Sequence, residues 1–258
     1  MFINLFDPAS LVWTLSPILL AVIATRNLQK AINVSNQLIL DVALLGVFIG
    51  IVGVMKNLED PSELRPKLQL VFLPLLYALI LKGPLYLLSN TESADLAKPE
   101  GLALPTTAGI AFLGLTVVAM NAAAGIGPFI DTSSILVVFG GLLLLSLLNQ
   151  FFGHESYFKV LRLIHGIAVV AAVVGLILML RFVDDPDGVR PAFAILYTVF
   201  IYSLMLRITL LLTLPHINEI SLSETAQAVN TIVYLIAPLF GVWVLISSFY
   251  LNDALIGT

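Results

Sequence analysis

Cysteine is absent from all 258 residues, which excludes disulfides, thiol nucleophiles and thiolate metal sites. Charge is scarce too. Asp, Glu, Lys and Arg make up 11% of the chain, where a soluble globule carries about a quarter. The net charge of −4 falls in short loops, so nothing points to a nucleic-acid surface. Met1–Asp7 has no basic stretch and carries an acid, so no cleavable leader is expected. The histidines (His154, His165, His216) stand far apart, and His154-Glu155 has no second histidine one helical turn away. No G-x-S-x-G elbow occurs either. An enzyme, a cofactor and a metal site are therefore not expected. What the chain has instead is apolar residues, 59% of the total, with a mean hydropathy of +1.04. The expectation is an all-α polytopic membrane protein whose main partner is the lipid bilayer.

Apolar runs fall at about 9–25, 38–55, 67–88, 105–121, 133–152, 163–180, 192–213 and 226–250, which predicts eight spans. Lys and Arg do not orient them. Arg26, Lys30, Lys98, Lys159 and Arg162 on one side balance Lys56, Arg65, Lys67, Arg181 and Arg190 on the other. The longest connection, Ser89–Pro105, is rich in polar residues, Pro and Gly, and suits a boundary between two halves.

A segment occurs twice. Residues 50–82 align without a gap with residues 175–207, at an offset of 125. The aligned pairs include Gly50/Gly175, Lys56/Arg181, Asp60/Asp185, Pro61/Pro186, Arg65/Arg190, Pro66/Pro191, Tyr77/Tyr202 and Lys82/Arg207. Each copy reads as a helical hairpin: an apolar run, a basic residue, an acidic turn closed by Arg-Pro, then a second apolar run. The Arg-Pro proline suits the first turn of the second helix, where no N–H is required of it. Lys82 and Arg207 follow 17 residues later, roughly 25 Å along a helix, where a long cation can snorkel to the far face.

These motifs resemble the membrane part of the flagellar stator family (MotA/PomA), relatives of the TolQ/ExbB motor subunits. The resemblance lies in Asn57-Leu58-Glu59-Asp60-Pro61, Arg65-Pro66 and Leu76-Tyr77, and again in Asp184-Asp185-Pro186, Arg190-Pro191 and Ile201-Tyr202. Ala124–Gly141 resembles the family's turn between helices one and two, with Asp131 opening helix two; Phe6–Pro17 repeats that pattern with Asp7 and Ser10. The implied architecture is two parallel four-helix repeats permuted by one helix. Residues 1–90 form the first repeat, 91–104 a linker and 105–214 the second repeat, while 215–258 complete the first. The resemblance implies a multi-pass protein of the bacterial inner membrane, with a single-span partner helix or further copies of itself. It also implies acidic-Pro turns and both termini outside. Two departures matter. The cytoplasmic region that meets a flagellar rotor is absent, leaving Thr25–Gln37 and Gln150–Arg162. Hydroxyls of the family's ion path are replaced by Val47, Ala172, Pro74/Leu75 and Val199/Phe200.

Few residues are candidates for chemistry. Asp41 and His165, near the expected cytoplasmic ends of the third helices, read either as a proton relay pair or as interfacial residues wetted by headgroup water. Asp7 and Asp131, at the outer starts of the second helices, read as helix N-caps or as acids that attract a cation. Pro17, Pro74 and Pro238 should kink their helices. The expected function is a scaffold or ring subunit of a stator-like, ion-motive-force-linked assembly. The alternatives are a small secondary transporter or channel, which needs broken helices or paired ionisable groups at mid-depth, and a purely structural anchor.

Overall fold

The computed structural model describes residues 6–56, 69–89, 103–152, 168, 172–177, 179–181 and 186–213. Among them the chain is helical, without a strand. The helices are α1 (Pro8–Thr25), α2 (Leu28–Lys56), α3 (Leu73–Leu88), α4 (Ala103–Ala124), α5 (Thr132–Phe152) and α6 (Pro186–Thr213), with a 3-10 turn at Gly127–Phe129. Five helical stretches are long and apolar enough to cross a membrane: Pro8–Thr25, Leu28–Met55, Gln69–Leu88, Ala103–Ala124 and Leu196–Thr213. Composition and helices together are those of a membrane-embedded protein. Half of the expected run at 163–180 and all of that at 226–250 fall outside the described residues, as do Asp60, Pro61, Arg65, Pro66, Asp185 and His165.

The chain divides into two compact units, Met1–Gly127 with Leu204–Ile220, and Pro128–Ser203 with Ser221–Thr258. These cut across the sequence division, because α4 packs in the first unit, on α1 and α2. Gly109 of α4 is buried and faces Thr209 and Thr213 of α6, where the absence of a side chain permits close approach.

In the first unit α2 is the central helix. Of its apolar window 78% is buried, against 28–33% for α1, α3 and α4, which surround it. Ile39 and Ala43 of α2 meet Ala78 and Leu85 of α3, with Ile18, Leu40 and Leu75 packed around them. Among the glycines of α2, Gly46 is the most closely approached. A Cβ there would lie 2.5 Å from Nε1 of Trp13, which donates to the Val42 carbonyl at 2.8 Å.

Helix α2 starts ten residues before the apolar run that announces it. Arg26, in the left-handed region at φ 51°, ends α1, and Asn27 accepts from the Lys30 N–H through its side chain at 3.1 Å. That cap starts a new helix at once, so residues 28–37 are helical where a cytoplasmic connection was expected. Pro17 lies inside α1 and cannot donate to the Trp13 carbonyl four residues back. The Ser16 hydroxyl donates to that carbonyl instead, at 2.7 Å. Pro74 sits in the first turn of α3, behind a break at Phe72, so the run beginning at Gln69 is interrupted rather than bent.

Helix α6 opens at Pro186, not at the Arg-Pro step. Pro186 itself fits a first helical position, and Arg190 and Pro191 lie within the helix. The expectation that Pro191 starts it is corrected by five residues. In the second unit Gly175 faces the Leu196 backbone, where an added Cβ would lie 3.2 Å away. In the first unit Gly50 faces Val71, at 2.9 Å. Val71 and Leu196 are themselves separated by the 125-residue offset.

Candidate functional site

Asp7 and Asp131 are built alike. Asp7 precedes α1 and its carboxylate accepts from the Ser10 N–H at 2.8 Å; Asp131 precedes α5 and accepts from the Ser134 N–H at 2.7 Å. Both are N-caps by geometry. Each acid's own backbone N–H then donates to a tyrosine hydroxyl, Asp7 to Tyr77 at 2.9 Å and Asp131 to Tyr202 at 3.3 Å. The tie joins the start of one helix to the interior of another, once in each unit. Tyr202 also donates to the Phe129 carbonyl.

The ties differ in what backs them. In the second unit the Ser134 hydroxyl donates to Asp131, so the Ser134–Thr198 contact of 2.7 Å takes its proton from Thr198. In the first unit Leu73 stands at the position matching Thr198, and Thr14 donates to the Ser10 carbonyl at 2.8 Å. The Ser10 hydroxyl holds the Asp7 carboxyl below the usual carboxylate range. Partial burial opposes this, while the N–H groups of Ser10 and Ala9 assist.

The other candidate, Asp41, is not at a helix end. It is the fourteenth residue of the 29-residue α2, about 20 Å from the first. It is 9% exposed, and its carboxylate accepts from Arg207 Nη1 at 2.7 Å. Because α2 extends through residues 28–37, the end of the helix and the start of the apolar run at 38 do not coincide. Lys82 joins from α3. Its ammonium donates to the Asn36 carbonyl and lies close enough to Asp41 for the two charges to attract. Lys82 and Arg207 each stand six residues before the ends of their helices, Leu88 and Thr213. Both bind protein groups, which replace the water a buried cation loses.

The cluster thus holds one carboxylate and two cations within apolar helices. Around it the Asn36 amide donates to Ser89 Oγ at 3.4 Å, and Gln29 donates to the Leu88 carbonyl at 2.8 Å. Two buried oxygens on the same turn of α2, Ser35 Oγ and Asn36 Oδ1, have no partner among the described residues. Sequence reasoning treated Asp41, Lys82 and Arg207 separately. The available signal was that they are charges of opposite sign inside apolar runs, where an unpaired charge is costly. The positions matching the family's hydroxyls, Val47, Ala172, Val199 and Phe200, are buried and apolar. Among the described residues no group of acids and histidines suits a metal ion. No protein-family model, curated protein or solved structure matches the chain.

Proposed function

We propose that the chain is a non-enzymatic integral-membrane subunit of a stator-like, ion-motive-force-linked assembly. It sits in the bacterial inner membrane as a ring or scaffold around partner transmembrane helices. The observation that carries this reading is the recurring acid–tyrosine tie: Asp7–Tyr77 and Asp131–Tyr202 occupy matching sequence positions and make the same bond. A duplicated hairpin unit, the basis of the resemblance, accounts for that recurrence.

A scaffold role fits the charge cluster as well. Asp41 is engaged by Arg207, and Val47, further along α2, offers a passing cation no side-chain oxygen. Stripping an ion of water without replacement ligands is prohibitive. The expected result in proteoliposomes is no proton or sodium flux through the protein alone. Purification of the intact complex should recover a single-span partner.

One observation favours a second reading, a small secondary transporter or channel: paired ionisable groups at mid-helix, beside a helix interrupted at Phe72. Robust flux in the protein alone, abolished by Asp41→Asn, would decide for it.

A further inference from the structure

We propose that α3 of one copy of this chain packs against residues 172–177 of a second copy, repeating between copies the contact that α6 makes with α2 inside one. The inference rests on the duplicated unit behind the scaffold reading and names the faces through which copies join. Its support is a difference between matching positions. Leu79, Tyr86 and Leu87 of α3 are exposed, and Gly83 meets open space. At the 125-residue offset stand Leu204, Ile208, Leu211 and Leu212 of α6, all buried. The contrast reaches 82% exposure at Leu87 against 0% at Leu212. Two helices cover α6: Asp41 of α2 meets Arg207, and Gly109 of α4 faces Thr209 and Thr213.

The other side of the contact shows the same difference. Val173, Val174 and Ile177 are exposed, while Phe48, Ile49 and Val52, their counterparts in α2, are buried. The chain thus presents a second α6-like face and a second α2-like face, both exposed. A neighbouring copy supplies to each what it lacks. Two different faces then join head to tail, which is a heterologous contact.

Lipid fits the α3 face less well. Pro84 lies inside α3 and cannot donate to the Ile80 carbonyl four residues back. Gly83 and Leu85 beside it carry no donor, unlike Ser16 beside Pro17. Ile80 is exposed, and hydrocarbon offers its carbonyl nothing, whereas a neighbouring helix can bring a donor. Gly83 lets that helix approach closely.

The test is cross-linking of the full chain, which has no cysteine of its own. Carrying the Asp41–Arg207 register over by 125 residues brings Leu76 of one copy level with Val173 of the next, in antiparallel helices. Copies carrying Leu76→Cys and copies carrying Val173→Cys are co-reconstituted in phosphatidylcholine vesicles and treated with a short bismaleimide. The mixture should give a covalent dimer, and neither variant alone should. The yield should hold when lipid is increased at constant protein. Adding Gly83→Leu, which a single copy accommodates in open space, should lower it about tenfold without changing the melting temperature.

A dimer from either variant alone shows that copies meet through like faces; it overturns the inference and leaves the scaffold reading intact. No dimer in any sample overturns the inference as well, and recovery of a single-span partner then decides the scaffold reading separately. A yield that falls in proportion to added lipid reports collision only, and a yield unaffected by Gly83→Leu places the contact elsewhere. Either result overturns the inference.

Discussion

Asp41 is tolerated in the buried middle of α2 because Arg207 meets it at 2.7 Å. Removing either partner leaves the other charge buried and uncompensated. Asp41→Leu and Arg207→Met should each destabilise the protein by about 3–5 kcal/mol. The double variant should cost less than the sum, because apolar groups then fill the space, and unfolding in detergent as a double-mutant cycle measures the difference. Additive losses would show that the pair does not interact. Asp7 titrates with a definite sign. Its folded value lies below the ordinary 3.8, chiefly through the Ser10 hydroxyl, so its stabilisation is complete above that pH. It is lost as pH falls through the folded value. Asp7→Asn should flatten the stability profile below about pH 4, with little change at neutral pH where the amide oxygen still caps α1. An unchanged acid limb in that variant would locate the titration elsewhere.

Helices are shaped here by where their freed backbone groups find partners. Pro17 releases the Trp13 carbonyl, and Ser16 takes it. Ser16→Ala should therefore cost about 1 kcal/mol in thermal unfolding. In a Pro17→Ala background the same change should cost almost nothing, since the substituted alanine supplies the helical N–H. Equal costs in both backgrounds would mean that the hydroxyl serves some other purpose. Helix α2 shows the opposite case, in which no local defect exists. Asn27 starts it, no Pro interrupts residues 28–56, and it continues past the polar stretch into the apolar run. That extension moves Asp41 from an expected end to the middle.

At the scale of the whole molecule, recurrence is the principal finding. The Gly50–Val71 and Gly175–Leu196 approaches, like the two acid–tyrosine ties, recur at matching positions in separate units. Under the proposed reading of parallel repeats with an even helix count, both acidic-Pro turns fall on one face of the membrane. The chain has no cysteine of its own, so cysteines introduced at Ser62 and Asp187 give an unambiguous readout. Both should react with an impermeant thiol reagent from the same side. Labelling from opposite sides would end the parallel-repeat reading.

Composition alone determined that the chain is helical and suited to a membrane, because 11% charge cannot clothe a soluble surface of this size. The spacing of Asp7 and Ser10, matched by Asp131 and Ser134, marked the two helix caps, since a cap and its serine are local in sequence; the bonds to Tyr77 and Tyr202, 70 and 71 residues away, came only with packing. Only the tertiary structure decided the charge cluster. Asp41, Lys82 and Arg207 come from three helices, and Arg207 stands 166 residues from Asp41. Local pattern carries no information about which helices become neighbours. A buried charge requires a partner, and packing around α2 selects which one.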